Sequence, residues 1–325
     1  MSERKKTVAL KADRKLLTRV VTAMQAGRDI DMNKMLEQEI CAVPLSLAMP
    51  DGRLRLPQNK ADLGKILQQG LPHNVTPEPL QTCTVIDGMA MIQTLGNRMN
   101  AKTLGEWADA VADYVSHVFS NSCSRVDLAF DQYRKKTIKS TARSQRVRGK
   151  KAIRRDVQTR SQSMGQWDRF ISLDENKASL ANFLCLELAN KFHNQEGVEL
   201  VLNGGFMDPA KVWTSSERDV SKLSSAEHEE ADTRILLHVK DASEQGYPQT
   251  IVVSRDTDVL VLLLAFQPQL SHFLWMKAGT PKKQHFVPVH SINITDSQRA
   301  SLLAFHAATG SDSTIQFAGI GKRSA

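Results

Sequence analysis

The sequence predicts an α/β fold with a mostly parallel sheet flanked by helices. From residue 83 onward, short apolar runs of strand length alternate with longer stretches whose apolar residues recur at helical spacing. Such alternation is typical of strand–helix–strand units, in which consecutive strands lie parallel. The composition of the 325 residues, 41% hydrophobic and 24% charged, is that of a globular chain rather than a disordered one.

Five strands and five helices alternate along this part of the chain. The predicted strands are CTVID (83–87), SRVDLAFD (124–131), GVELVLNGG (197–205), PQTIVVS (248–254) and HFLWMKAG (272–279). The predicted helices are MAMIQTLGNRM (89–99), WADAVADYVSHVF (107–119), SLANFLCLELANKF (179–192), EEADTRILLHVKDASEQG (229–246) and DTDVLVLLLAF (256–266). The spacing of apolar residues separates the two classes.

The first 80 residues differ in texture from the rest of the chain. They are polar, and the stretches LTRVVTAMQ (17–25) and ADLGKILQQGL (61–71) carry apolar residues at helical spacing. No motif with a recognisable chemistry falls in this segment. We therefore expect a mostly helical N-terminal extension over residues 1–80, followed by one domain over residues 81–325.

The net charge of +8 and the isoelectric point near 9.3 favour an anionic partner, and nucleic acid is the commonest such partner inside cells. Neither a membrane partner nor an organic cofactor is expected, because the longest apolar run, residues 259–266, is short and no phosphate-binding glycine loop follows a strand. The polar start and four scattered cysteines predict an intracellular protein, with the nucleus favoured over the cytoplasm.

A basic region follows the second predicted strand. Twelve lysines and arginines lie between Arg134 and Arg160, and only Asp156 opposes them. Two interpretations remain open: a solvated basic linker that includes a nuclear localisation signal, or an element that grips phosphate groups.

Seven acidic residues form a pattern along the chain: Asp87, Asp131, Glu230, Asp232, Asp256, Asp258 and Asp312. The first six lie where predicted strands end or helices begin, and the last lies in a turn after a predicted helix. Taken singly, Asp232, Asp258 or Asp312 is explained as a helix N-cap, and Asp87 before Gly88 as part of a turn. Taken together, carboxylates that meet at one edge of a parallel sheet repel one another unless cations neutralise them. Clusters made only of carboxylates suit hard divalent ions, and two Mg²⁺ or Mn²⁺ ions are the expected cofactor.

In this order, the acidic motifs resemble those of the flap endonuclease (XPG-like) family of PIN-like nucleases. The matching blocks are VID, LAFDQYRKK, EEADTRI, VVSRDTDVLVL and LLAFHAATGSDSTIQFAGIGKRSA, over roughly residues 83–325. The resemblance is also to a divergent, largely uncharacterised group of animal proteins. It implies a PIN-like (Rossmann-like) sheet, a basic arch-like insertion at about 132–165, and a truncated helix-hairpin-helix at 302–325.

The resemblance also implies roles for individual residues. Asp87, Asp131, Glu230 and Asp232 would hold one metal ion, and Asp256, Asp258 and Asp312 the second, with or without Asp232 as a shared ligand. Lys139 and Arg146, seven residues apart as in the family's arch, would polarise the scissile phosphate; the alternative is that both are ordinary members of a basic stretch. The residues implied in nucleic-acid binding are Arg134, Lys135, Lys136, Lys139, Arg143, Arg146, Gly319, Gly321, Lys322 and Arg323.

The sequence departs from the family pattern in several places. Gln93 stands where the family has a stacking aromatic residue, the motif usually written E-A-E is E-A-D, and the chain ends at Ala325 inside the hairpin motif. Two hypotheses follow. One is a divalent-metal-dependent, structure-selective nuclease that hydrolyses phosphodiester bonds by a two-metal mechanism, with DNA favoured over RNA. The alternative is a catalytically inactive PIN-like domain that binds nucleic acid or protein partners.

Overall fold

A computed structural model describes most of the chain. The described residues are 18–31, 33–34, 44–49, 51–57, 61–72, 74–96, 101–133, 153–193, 195–224, 228–280, 283–311 and 314–323. Most of the basic region and Asp312 therefore lie outside the described residues.

Seven strands form one mixed sheet. The strands are β1 (Thr82–Asp87), β2 (Cys123–Ala129), β3 (Glu199–Asn203), β4 (Val212–Thr214), β5 (Gln249–Val253), β6 (Phe273–Thr280) and β7 (Lys283–Pro288). Their order across the sheet is β4-β3-β2-β1-β5-β6-β7. The five central strands run parallel to one another: β1, β2, β3, β5 and β6. The edge strands β4 and β7 are antiparallel to the strands beside them.

Eight α-helices with defined bounds accompany the sheet in the described part of the chain. They are α1 (Ala61–Leu67), α2 (Gly88–Leu95), α3 (Leu104–Val118), α4 (Trp167–Phe170), α5 (Asp174–Phe192), α6 (Ala231–Glu244), α7 (Thr257–Phe266) and α8 (Asp296–Ala308). None of the described helices is long and apolar enough to cross a bilayer. The α/β fold with a mostly parallel sheet flanked by helices is confirmed.

All five predicted strands are present, and the two edge strands were not predicted. Strand β4 is only three residues long, and β7 begins with three exposed polar residues, so neither shows the apolar run of a central strand. Each pairs with the strand that precedes it in the chain. An antiparallel edge on an otherwise parallel sheet is common in α/β proteins.

Helices pack on both faces of the sheet. On one face, Ile86, Leu128 and Leu202 pack in the same buried cluster as Trp107 of α3 and Leu184 of α5. The opposite face packs against α6, which contacts β1, β2 and β5 and is itself covered by α7. Because neighbouring residues of a strand point to opposite faces, alternate side chains of a strand face the two helix layers.

Close packing around Phe130 brings three strand ends together. A Cβ atom on Gly88 would lie 2.4 Å from the Phe130 ring, and one on Gly204 would lie 2.2 Å from the Phe130 carbonyl oxygen. Gly204 also has φ +83°, a conformation that side chains disfavour. The two glycines therefore allow the ends of β1 and β3 to approach the residue just before Asp131.

The chain forms two compact units, Met1–Ile66 with Ser301–Ala325, and Leu67–Ala300. In the first unit, the amide of Gln316 donates to the Arg55 carbonyl (2.9 Å) and that of Ala318 to the Ser46 carbonyl (2.7 Å). The segment predicted as a hairpin thus packs with residues of the N-terminal extension. The predicted domain boundary near residue 80 stays a prediction.

Candidate metal centre

Six of the seven predicted acidic residues are described, and all six lie at the carboxyl ends of strands or at helix starts. Asp87 ends β1, and Asp131 follows the end of β2 by two residues. Glu230 and Asp256 are the N-cap residues of α6 and α7, and Asp232 and Asp258 lie in the first turns of those helices. Because β2, β1 and β5 are adjacent and parallel, these positions share one edge of the sheet.

Three of the carboxylates come together as a group that can hold a metal ion. Asp232, Asp256 and Asp258 each offer one oxygen, these oxygens lie within 4.8 Å of one another, and all three residues are partly buried. Carboxylate oxygens alone suit Mg²⁺ or Mn²⁺ better than zinc, for which nitrogen and sulfur ligands are usual. The donor set therefore fits the predicted kind of ion.

Electrostatic coupling links the other carboxylates to this group. Burial, with the charges of Asp131 and Asp256, raises the pKa of Asp87 to about 7. Burial, with the charges of Asp256, Asp87, Asp131 and Glu230, raises the pKa of Asp232 to about 8. A shift of this size is the response of a buried acid that faces other acids. Asp87, Asp131 and Glu230 thus contribute to the same acidic cluster as the three-carboxylate group.

The helix caps differ from those expected for single aspartates. Asp232 and Asp258 lie in the first turns of α6 and α7 rather than at their N-caps, and Asp87, expected in a turn, is the N-cap of α2. An oxygen of Asp87 accepts a hydrogen bond from the Ala90 amide at 2.9 Å, and one of Asp256 accepts from the Asp258 amide at 3.0 Å. A cap uses only part of a carboxylate, which has two oxygens and about four lone-pair positions. Capping fixes the orientation of each group and is compatible with metal binding through the same carboxylate.

Asp131 links strand β2 to the start of α6. Its Oδ1 accepts a hydrogen bond from the Ala231 amide at 2.8 Å. The backbone amide of the next residue, Gln132, donates a hydrogen bond to the Glu229 carbonyl at 2.7 Å. The acidic start of α6 is therefore held against the end of β2, although a hundred residues separate the two segments in the chain.

A buried polar network beneath this region was not predicted. Arg125 and Asp127 of β2 have no exposed surface, and the guanidinium donates to both carboxylate oxygens at 2.8 and 2.6 Å. The Arg125 guanidinium also lies 2.7 Å from a carboxylate oxygen of Asp241. Despite complete burial, the charge of Arg125 and the hydrogen bond from His238 hold the pKa of Asp127 at about 2.

The same network reaches the acidic start of α6. His238 Nδ1 lies 2.6 Å from Asp127, and its Nε2 lies 3.0 Å from the Asn203 amide nitrogen. The Asn203 amide oxygen accepts from Arg234 at 2.8 Å, and Arg234 also donates to the His228 carbonyl. With the Asn203 oxygen fixed by Arg234, its NH₂ faces His238, so Nε2 acts as the acceptor and Nδ1 carries the proton to Asp127. The network thereby fixes the segment that leads to Glu230.

A signal for this network exists in the sequence. Arg125 and Asp127 are two residues apart in a strand, and therefore on one face, in the otherwise apolar run RVDLAF (125–130). A charge at such a position must be paired when it is buried. The position of His238 and Asn203 against it depends on how α6 packs, which spacing along the chain does not give.

Several predicted site residues lie outside the described part of the chain. They are Asp312, Arg134, Lys135, Lys136, Lys139, Arg143 and Arg146. Their roles as metal ligand or phosphate contacts stay predictions.

The predicted glycine hairpin lies in the first unit. Gly319 has φ +77° and nothing near its Cβ position, as in an exposed turn, and Gly321 follows it. Lys322 is 7% exposed, and its ammonium donates to the His306 carbonyl and the Thr309 hydroxyl, both at 3.1 Å. Arg323 pairs with Asp62 at 2.9 Å. The Lys322 ammonium is therefore held by groups of its own unit. The predicted nucleic-acid contacts of Gly319, Gly321, Lys322 and Arg323 stay predictions.

The raised acid pKa values make stability dependent on pH. Between the ordinary aspartate pKa of 3.8 and the folded values of about 7 and 8, the folded protein holds more protons at Asp87 and Asp232 than the unfolded chain does. The free energy of unfolding of the metal-free protein should therefore decrease as pH rises through this window. We expect a loss of about 2 kcal/mol or more between pH 5 and 9 at these partly solvent-screened groups, measured by urea unfolding in EDTA.

Divalent cations should reverse that loss, because a bound cation replaces the proton as the partner of the carboxylates. The stabilisation by Mn²⁺ should therefore grow from pH 6 to pH 9. Stability that is independent of pH in EDTA, or that responds equally to Mn²⁺ and to the same ionic strength of KCl, would contradict a clustered acidic site.

Comparison with known proteins adds no assignment. No protein-family model matches the chain, and no curated protein is similar enough to be matched to it. The function is therefore inferred from the residues and their arrangement.

Proposed function

We propose that the protein is a divalent-metal-dependent nuclease with a PIN-like domain of the flap endonuclease type. The observation that carries this proposal is the group formed by Asp232, Asp256 and Asp258, whose oxygens lie within 4.8 Å of one another. The electrostatic coupling of Asp87, Asp131 and Glu230 to this group supports the proposal, because it supplies further carboxylates for a second ion. Phosphodiester hydrolysis is one of the reactions that two divalent ions catalyse, since they stabilise both the attacking and the leaving oxygen.

The residues have distinct tasks in this proposal. Asp232, Asp256 and Asp258 hold one ion, and Asp87, Asp131 and Glu230 complete the site for a second ion. When bound, the ions supply a water of lowered pKa and stabilise the charge on the leaving oxygen. The caps at Asp87 and Asp256 and the hydrogen bond of Asp131 keep these carboxylates oriented before a metal binds.

Nucleic acid is the proposed substrate class. The net charge of +8 favours a polyanion, and an acidic cluster of this kind requires cations before a phosphate can approach. An open cleft of about 340 Å³ beside the cluster is lined by His228, Glu229, Glu230 and Thr233. This cleft gives the phosphate backbone access to the carboxylates at the start of α6.

The test is cleavage of labelled flapped and single-stranded DNA and RNA by the full chain with Mg²⁺ or Mn²⁺. The wild type should cut and EDTA should stop it, while the Asp256→Ala/Asp258→Ala variant should lose the metal-dependent rate. An equal trace rate in both proteins would refute catalysis by this site. Metal-independent binding of nucleic acid without any cleavage would instead favour a catalytically inactive PIN-like domain.

A further inference from the structure

A groove runs along one face of the sheet and ends beside the acidic cluster. Its volume is about 590 Å³, and it is lined by residues of β1, β5, β6 and β7, the end of α3 and the segment 76–79. A smaller hollow shares Tyr114, Val253 and Lys277 with it and continues to Ser254 and Arg255. The next residue in the chain is Asp256, so the groove leads to the candidate metal centre.

The floor of the groove combines apolar, aromatic and cationic groups. Val253, Lys277 and Phe286 lie side by side in paired positions on β5, β6 and β7. The Lys277 ammonium lies 5.8 Å from the centre of the Phe286 ring, and that ring packs edge to face on Trp275 at 6.4 Å. Phe286 is partly exposed, and the aromatic support beneath it holds its ring in place as a stacking platform.

Charge along the groove favours a phosphate backbone. Lys277 lies midway along the groove, and the exposed Arg255 lies at the end near Asp256. A polyanion that enters at this end would meet the Arg255 cation. Glu78 lines the opposite end. Basic residues interleaved with aromatic rings are the usual arrangement for binding single-stranded nucleic acid, since the cations contact phosphates and the rings stack on bases.

We propose that this groove binds a single strand of nucleic acid and carries it to the acidic cluster. The five residues of β5 span about 13 Å, which equals the length of roughly four stacked nucleotides. Four nucleotides lie at the lower end of the site sizes of folds that bind single strands. The passage of the strand toward the acidic cluster rests on the proposed nuclease function. Binding of the strand rests on the groove alone.

The two key residues make different predictions for binding. Lys277→Gln removes one phosphate contact and should lower the slope of log affinity against log salt by about 0.7. Phe286→Leu keeps an apolar side chain but removes the ring, so it should weaken binding about tenfold with an unchanged salt slope. Lys240→Gln is the matched control, because Lys240 is exposed on α6, on the opposite face of the sheet.

Binding is measured by fluorescence anisotropy of the full-length protein with short labelled oligothymidylate and oligouridylate in EDTA, after circular dichroism confirms that each variant is folded. Comparing the two oligonucleotides separates a DNA from an RNA preference. Equal effects of Lys240→Gln and Lys277→Gln, no effect of Phe286→Leu, or no binding of either oligonucleotide would overturn the groove proposal. Because EDTA removes the metals, binding that follows this pattern without any later metal-dependent cleavage would refute only the nuclease proposal.

Discussion

Replacing Asp256 with asparagine is expected to lower metal-dependent cleavage about a thousandfold and, in the same protein, to raise the melting temperature in EDTA. Asparagine caps a helix about as well as aspartate does, so the hydrogen bond to the Asp258 amide at the start of α7 should survive. One of the charges that, together with burial, raise the pKa of Asp87 and Asp232 is lost. A thousandfold rate loss corresponds to about 4 kcal/mol of transition-state stabilisation, a reasonable value for a displaced or missing metal ion.

The stability gain should be modest, about 1 kcal/mol, or roughly 2 °C or more in melting temperature. It should shrink at pH 5, where Asp87 and Asp232 of the metal-free cluster are protonated, and it should vanish when saturating Mn²⁺ stabilises only the wild type. Asp296→Asn is the matched control, because Asp296 is an exposed first-turn acid of α8. If Asp256→Asn melts lower than the wild type in EDTA, Asp256 is a structural cap, and repulsion among the acids does not destabilise the metal-free protein.

The opposite signs of these two effects separate a functional acid from a structural one. Residues selected for stability lose stability on substitution, whereas like charges gathered for metal binding destabilise the empty site. Asp87 and Asp256 belong to both classes, since each caps a helix and also faces other acids. For each of these two aspartates, the role of helix cap and the proposed role of metal ligand are therefore compatible.

The position of the acidic cluster could be predicted from the sequence because parallel strands constrain it. Once β1, β2 and β5 are recognised as parallel, the residues after them must meet at one edge, as Asp87, Asp131 and Asp256 do. The strand order across the sheet was not predicted, since apolar periodicity carries no information on which strands are neighbours. Edge strands β4 and β7 escaped notice for a related reason: they are short or polar and lack a periodic pattern.

Contacts between distant segments were also beyond the sequence. The bond from Ala231 to Asp131 and the approach of Gly204 to Phe130 depend on how α6 and β3 pack. The burial of Lys322 against His306 is a further case, because a lysine after a glycine turn is ordinarily exposed. Residue spacing predicts which chemistry a side chain offers. It does not predict which groups surround that side chain in the folded protein.

The buried network of β2 supports the second large effect. Arg125→Met should destabilise the folded protein by about 3–5 kcal/mol, since it removes the guanidinium that pairs with the fully buried Asp127. Asp241 loses the same partner and keeps its ion pair with Arg218. Methionine is close to arginine in length and fills irregular space, so lost volume contributes little. Arg160→Met is the matched control: Arg160 also pairs with two acids, Asp109 and Glu187, but is half exposed, and its loss should cost less than about 1 kcal/mol.

Urea unfolding at pH 7, followed by circular dichroism, measures both variants, and a double variant separates pairing from burial. Arg125→Met with Asp127→Leu removes both charges of the shortest pair and should recover at least about 1.5 kcal/mol relative to the single variant. Because the folded pKa of Asp127 is about 2 against an ordinary 3.8, the contribution of the pair is present above pH 4 and is lost as pH falls toward 2. A single variant as stable as the wild type at pH 7 would mean that water or another group neutralises these acids, and that the network does not hold the start of α6 in place.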